Sequence, residues 1–312
     1  MVNLNVSLSG LALDNPVMNA SGTFGYGYEL AQRMDIQKMG AIVLKTATLE
    51  PRDGNPNPRI AECASGMLNS IGLQNPGVDA IIEKELPRLS RAYSKKVIAS
   101  VAGNTVSEYV AVAKRFDAVD QIGLLELNIS CPNVEAGGMV FGVDEEAASE
   151  LVQAVKAEVQ KPVYVKLTPN VTDIVKIAQT VEAAGADGLV LINTLKGMRI
   201  DVRRRQPFLG GVTGGLSGPA IFPIALRMVY EVYQATALPI IGVGGIHDVA
   251  SALEMVLAGA SAIQVGAADL PHPETWLRIV EDLPALLEQN KFASFEDAIG
   301  AAHDDVTRKA HQ

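Results

Sequence analysis

Cys131 sits inside Asn128-Ile129-Ser130-Cys131-Pro132-Asn133, where an apolar run gives way to a polar loop. A thiol of ordinary pKa, ~8.5, is a usable base or nucleophile when its surroundings favour the thiolate. Asn128 and Asn133 flank it. Side-chain amides both donate and accept, which suits a planar ligand bearing amide groups. A buried structural cysteine is the plain alternative, and Cys63, in a loop, is read that way.

Lys45 and Lys166 each end a short apolar run. A buried ammonium needs a partner, so such a lysine snorkels, pairs with a carboxylate or meets an anionic ligand. Two lysines converging with several amides favour the ligand. Gly242-Val243-Gly244-Gly245-Ile246 and Gly266 offer different chemistry. Glycine lets backbone N–H groups approach a phosphate, and a following helix adds its positive end. A turn also needs glycine, and a turn is the plain account of the polar segment 67–77. The four histidines show no paired His/Asp/Glu spacing, so no metal is expected. Asp248, beside His247, fits a helix start. Arg203-Arg204-Arg205 is the one dense basic spot and reads as a solvated face.

These residues need elements to position them. Short, nearly continuous apolar runs lie at 17–19, 41–46, 97–101, 124–129, 163–167, 188–193, 240–243 and 262–265. Such runs are the mark of parallel strands buried on both faces. Helical spacing fills segments between them, at 145–159, 171–184 and 248–258. Two units close alike, on Ala-Gly-Ala and then a strand, with the glycine placed to end a helix in the left-handed region. The pattern predicts an α/β fold: one (β/α)8 TIM barrel with a parallel eight-stranded core, spanning 1–312. Segments 47–76 and 195–218 lack clear periodicity and are expected to be long loops over the C-terminal mouth. In a barrel the strand ends line the active site. Here they present Asn19, Ser21, Lys45, Thr46, Ser100, Asn128, Cys131, Lys166, Asn193, Thr194, Gly244, Gly245 and Gly266.

Composition narrows the class further. Of 312 residues 48% are hydrophobic and 20% charged, enough for a large core. The formal charge of −9 argues against non-specific nucleic-acid binding. Two cysteines supply neither a disulfide framework nor the four thiolates of an iron–sulfur cluster. The first residues show no basic, apolar leader, and no run approaches 18 apolar residues. A cytoplasmic protein without membrane contact is expected.

The segments NASGTFGYG (19–27), LKT (44–46), NSIGLQNPG (69–77), NISCPNV (128–134), VKLTPN (165–170), INT (192–194), GGLSGPAI (214–221) and GVGGI (242–246) resemble dihydroorotate dehydrogenase, in order and over essentially the whole chain. NISCPN with NSIGLQNPG is the specific part. NSIGLQNPG and EAGGMVFG (135–142) resemble the class 1B catalytic subunit more than the fumarate-linked class 1A. A cysteine base sets the chain apart from the quinone-linked class 2, which uses serine.

The resemblance implies an FMN barrel, one FMN per chain, that oxidises dihydroorotate to orotate in pyrimidine synthesis. Cys131 would be the catalytic base. Lys45, Asn69, Ser70, Ile71, Gly72, Leu73, Asn128, Asn133, Asn193 and Thr194 would hold substrate. Ser21, Lys45, Thr46, Ser100, Asn128, Lys166, Ile192, Gly218, Gly244, Gly245, Gly266 and Ala267 would hold FMN. Ser100 and Ala267 stand where the family usually has asparagine and threonine, so a contact to the ring changes and a hydroxyl to the phosphate is lost. Asp269 adds negative charge close behind. Class 1B also implies a partner, an iron–sulfur flavoprotein subunit carrying FAD and a [2Fe–2S] cluster that passes electrons to NAD⁺. The expected assembly is a homodimer core within a heterotetramer. Two readings from other classes stand beside this one: a phosphate-binding barrel isomerase or lyase, and a non-catalytic barrel scaffold.

Overall fold

The computed structural model describes residues 2–130 and 141–303. The chain opens with a hairpin, β1 (Val6–Leu8) and β2 (Leu11–Leu13), and enters the barrel with β3 (Val17–Asn19). An added pair follows, β4 (Ile60–Cys63) and β5 (Gly66–Asn69). Then come α1 (Val78–Ala80) and α2 (Leu86–Leu89), joined through one wider turn, and β6 (Val97–Val101). Next are α3 (Val106–Asp117), β7 (Ile122–Asn128), α4 (Glu145–Lys156), β8 (Val163–Leu167), α5 (Ile174–Ala183) and β9 (Gly188–Leu191). A second insertion holds β10 (Leu195–Met198), β11 (Ile200–Asp201), β12 (Gln206–Pro207) and β13 (Thr213–Ser217). The last elements are α6 (Phe222–Ala235), β14 (Ile240–Val243), α7 (Val249–Leu257), β15 (Ala260–Val265) and α8 (Thr275–Gln289).

Seven strands form one parallel sheet in the order β3-β15-β14-β9-β8-β7-β6. The expected strand at 41–46 completes the ring through isolated parallel bridges: Met18 with Ala41, Val43 with Ile98 and Ala47 with Val101. The reason it pairs so sparsely with β3 is Asn19. That side chain is buried and takes over the ladder, donating to the Val43 carbonyl at 2.8 Å and accepting the Val43 N–H at 2.9 Å. It also donates to the Ala20 carbonyl at 3.1 Å. Asn19, expected among the strand-end site residues, is thus spent on closing the barrel. Asn19→Ala leaves the Val43 groups unpaired in the core. It should cost about 2–4 kcal/mol, read as a lower urea midpoint.

Residues on β6, β8, β9 and β14 are buried on both faces, as their apolar runs require. The helices pack in ring order from α3 to α8 around them. Helices start and stop on local signals. Asp173 caps α5, so it begins three residues later than the predicted 171. Asp248 caps α7 in a capping box with Ser251, as expected. Gly185 and Gly259, after α5 and α7, take φ of 95° and 122°, the left-handed ends predicted for both Ala-Gly-Ala units. The hairpin lies across the strand starts, with Ser9 reaching Tyr164 and the Asp187 carbonyl.

The two segments expected to be long loops carry short strands within them. β10, β13, β5 and β4 make a four-stranded antiparallel sheet, in that order, which joins the insertions. Arg203, Arg204 and Arg205 are exposed in the turn between β11 and β12.

Candidate active site

β7 and β8 deliver Asn128 and Lys166 side by side, as register partners at their C-terminal ends. The Asn128 side chain accepts from Asn193 Nδ2 at 2.9 Å, and its carbonyl accepts the Tyr109 hydroxyl of α3 at 2.8 Å. Asn193 Oδ1 accepts the Thr194 N–H at 2.8 Å, and the Asn193 N–H donates to the Leu167 carbonyl at 2.8 Å. Both amides are thus locked in orientation, a requirement for reading a planar ligand. Thr46, at the end of the 41–46 segment, and Ser100, on β6, share a hydrogen bond of 2.9 Å and are buried.

Lys166 has found the carboxylate that one of the plain alternatives called for. Its Nζ lies 3.6 Å from Glu126 Oε1 and 3.3 Å from Gln264 Oε1. Gln264 Nε2 donates to Glu126 Oε2 at 2.8 Å, and all three residues are buried. Glu126 and Gln264 lie within β7 and β15 and not at their ends, so the strand-end positions do not include them. The signal was available: a carboxylate and an amide within otherwise apolar parallel strands. Lys45 is half-buried, and a Cβ added at Gly22 would lie 3.3 Å from its Nζ. A side chain at position 22 would fill the space beside that ammonium.

The 69–73 segment does not form the plain turn considered for it. Asn69 ends β5 and donates to the Gly215 carbonyl at 3.3 Å. Ser70 accepts from Asn55 Nδ2 at 3.0 Å, and the Ile71 carbonyl accepts the Asn55 N–H at 3.0 Å. Gly72, at φ 76°, packs so closely on Asn55 that a Cβ would come within 2.5 Å of it. Asn55 therefore holds the segment, a role nothing in its sequence neighbourhood signalled. Leu73 also takes a positive φ, 55°, and its carbonyl accepts from Asn75. Thr194 is fitted against Gly215, where a Cβ would come within 2.0 Å of its Oγ1.

Gly244 and Gly245, expected at the phosphate, come together with Gly218, expected to hold FMN. Gly218, Gly244 and Gly245 have φ of 102°, 135° and 75°. A Cβ at Gly245 would lie 2.8 Å from the Gly218 carbonyl and 2.7 Å from Phe222 Cβ, at the start of α6. Ile192 lines the same turn, its Cγ1 3.4 Å from a Cβ at Gly244. Gly266 and Ala267 follow β15, and Ser21 lies half-buried in the turn after β3. Cys131 and Asn133 lie outside the described residues. Ser130, just before them, donates its hydroxyl to the Lys166 carbonyl at 3.2 Å.

Asp269 does not present a surface charge here. It is buried, and its Oδ1 accepts the Trp276 N–H of α8 at 3.2 Å. Burial pushes its carboxyl from the usual 3.8 up to about 7, the Trp276 N–H opposes this, and the Glu274 charge adds to it. The folded state therefore holds a proton that the unfolded chain releases near pH 4. That stabilisation is complete below the unfolded value and is lost as pH rises through about 7. Asp269→Asn keeps an acceptor for Trp276 and removes the titration. Relative to this variant, the wild-type chain should lose about 2–3 kcal/mol between pH 5 and pH 8. Urea midpoints of both at the two pH values measure it.

Among the described residues no helix is long and apolar enough to cross a membrane. The model of the family described as dihydroorotate dehydrogenase matches residues 3–287. The chain is 54% identical over 300 residues to a protein of Anoxybacillus flavithermus, covering 96% of each. It is 53% identical over 311 residues to one of Geobacillus kaustophilus, covering 100% of this chain and 99% of that one. A protein of Trichlorobacter lovleyi is 52% identical over 298 residues, covering 96% and 98%. Each of the three is named the catalytic subunit of dihydroorotate dehydrogenase B (NAD(+)). With a match that runs through both insertions and every barrel strand, the chain belongs to the dihydroorotate dehydrogenase family.

Proposed function

We propose that this chain oxidises (S)-dihydroorotate to orotate in pyrimidine biosynthesis, as one barrel domain over 1–312 holding one FMN. The observation that carries the reading is the full-length likeness to the NAD(+)-linked catalytic subunits. The residues present fit FMN on their own chemistry. The Gly218–Gly244–Gly245 turn, against the start of α6, suits a phosphate. The rim of Lys45, Lys166, Thr46, Ser100, Asn128 and Asn193 suits a polar ring with an anionic edge. Gly266 belongs to the phosphate end, where Ala267 offers no hydroxyl. Ser21 and Ile192 would complete the FMN site.

When bound, FMN supplies the acceptor for the hydride leaving C6 of the substrate. The chain's own residues do the rest. Cys131 takes the proton from C5. Lys45 and the loop of Asn69, Ser70, Ile71, Gly72 and Leu73 hold the substrate. Asn128, Asn133, Asn193 and Thr194 hold the ring amides, two of them pre-oriented by the contacts above. Lys166 would stabilise the negative charge that a reduced flavin ring develops.

Electrons then leave to a second subunit, an iron–sulfur flavoprotein with FAD and a [2Fe–2S] cluster, which reduces NAD⁺. The name of the relatives supports a partner and favours NAD⁺ over the fumarate of class 1A. Ile60, Met198, Ile200, Val202 and Val212 leave apolar surface exposed on and beside the added sheet, which suits contact with another chain. The assembly is a homodimer of catalytic chains within a cytoplasmic heterotetramer. The test is turnover of dihydroorotate by the purified chain with NAD⁺, fumarate or an artificial dye, with and without the partner. Dye-linked activity alone, and NAD⁺-linked activity only with the partner, is the expected pattern. Full NAD⁺-linked turnover by the chain alone contradicts the two-subunit reading, and strong fumarate-linked turnover moves the chain to class 1A.

A further inference from the structure

Glu126 takes no part in the chemistry above, yet it is 0% exposed inside the barrel, two residues before Asn128 on β7. Its Oε2 accepts from Gln264 Nε2 at 2.8 Å. Among the described residues its Oε1 has no hydrogen-bond partner, and it lies 3.6 Å from Lys166 Nζ, whose residue is 4% exposed. Gln264 Oε1, 3.3 Å away, is the second acceptor facing that ammonium. A buried ion pair of this kind is weak evidence for stability, because desolvating two charges offsets their attraction. Apolar side chains of similar size would fill a barrel interior at least as well. What the pair does provide is a fixed place and a reduced net charge for Lys166.

We propose that Glu126 is a positioning residue for Lys166: with Gln264 it holds the ammonium at the mouth and offsets its charge, and so sets how readily a flavin bound there accepts electrons. The proposal rests on the FMN reading above. Two electrons and one proton added to a flavin leave one extra negative charge on it. An ammonium beside the ring favours that state, and a carboxylate behind the ammonium opposes it. In a poorly solvated interior both charges are felt over several ångströms. Removing the carboxylate charge therefore makes the flavin easier to reduce.

Glu126→Gln keeps the shape and an acceptor for Gln264 while removing the charge. In the FMN-loaded chain its reduction equilibrium should shift at least tenfold toward the reduced form. For a two-electron couple that is a rise of about 30 mV in midpoint potential. Glu126→Asp restores the charge and should lie within threefold of wild type. An unshifted potential in folded, FMN-loaded Glu126→Gln overturns the proposal. If that variant does not retain FMN, thermal unfolding decides. Lys166→Met strands the Glu126 charge and should lower the Tm, and adding Glu126→Gln should recover most of the loss. No recovery overturns the pairing. A wild-type chain that takes up no FMN contradicts the reading of the function instead, and the two unfolding measurements still decide whether Glu126 and Lys166 act as a pair.

Discussion

Cys131→Ala is expected to keep FMN and orotate binding while the anaerobic reduction of its flavin by dihydroorotate slows ~10²–10⁴-fold, the usual effect of removing a positioned base. The retention of binding follows from the surroundings. Asn128 is held by Asn193 and Tyr109, and Lys166 meets Glu126 of β7 and Gln264 of β15, contacts that the substitution leaves in place. The thiolate is the active form, so reduction in the unaltered chain should quicken as pH rises toward the thiol range. Stopped-flow loss of the flavin colour measures both effects. Near-normal reduction in the alanine variant would remove Cys131 from the reaction. Cys63→Ala is the control: it lies on β4 of the added sheet, and its substitution should leave the rate unchanged.

Gly245→Asp is expected to weaken FMN binding at least a hundredfold, so that the chain purifies colourless but folded. Three costs coincide at this position. The φ of 75° is one that a side chain rarely adopts. A Cβ would lie 2.7 Å from Phe222 Cβ and 2.8 Å from the Gly218 carbonyl, so the turn must shift. The added carboxylate also repels a phosphate. A hundredfold loss corresponds to about 2.7 kcal/mol, within reach of overpacking and strain before charge is counted. Equilibrium titration with FMN, alongside circular dichroism to check folding, gives the result. Unweakened FMN binding would place the phosphate elsewhere.

The barrel was legible because strands buried on both faces show mostly apolar side chains. The seven runs in the parallel sheet and the segment at 41–46 all lie where periodicity put them. The added sheet was not legible, since its strands are only half-buried. The Thr-Gly-Gly-Leu-Ser strand β13 has no buried residue, and β10 alternates between half-buried and exposed. Such strands are held by partners distant in sequence, and the pairing of Asn69 with Gly215 spans both insertions. Strand ends are where the candidate site is legible, and they present Lys45, Thr46, Ser100, Asn128, Lys166 and Asn193 as its expected residues. Strand ends also include Asn19, whose bonds go to Val43, and leave out Glu126 and Gln264 one layer down. Polar residues buried in mid-strand carry a strong signal, because each must have a partner. Asn55 could not have been found this way, for its role depends on a close approach to Gly72 that only the folded loop creates.

The most direct test of the account is an anaerobic titration of the purified, FMN-loaded chain with dihydroorotate. It predicts a yellow protein whose colour is lost with one equivalent of substrate per bound flavin, with orotate formed in equal amount and no partner subunit needed. A chain that binds FMN tightly yet keeps its colour in excess dihydroorotate, with no orotate formed, would contradict it.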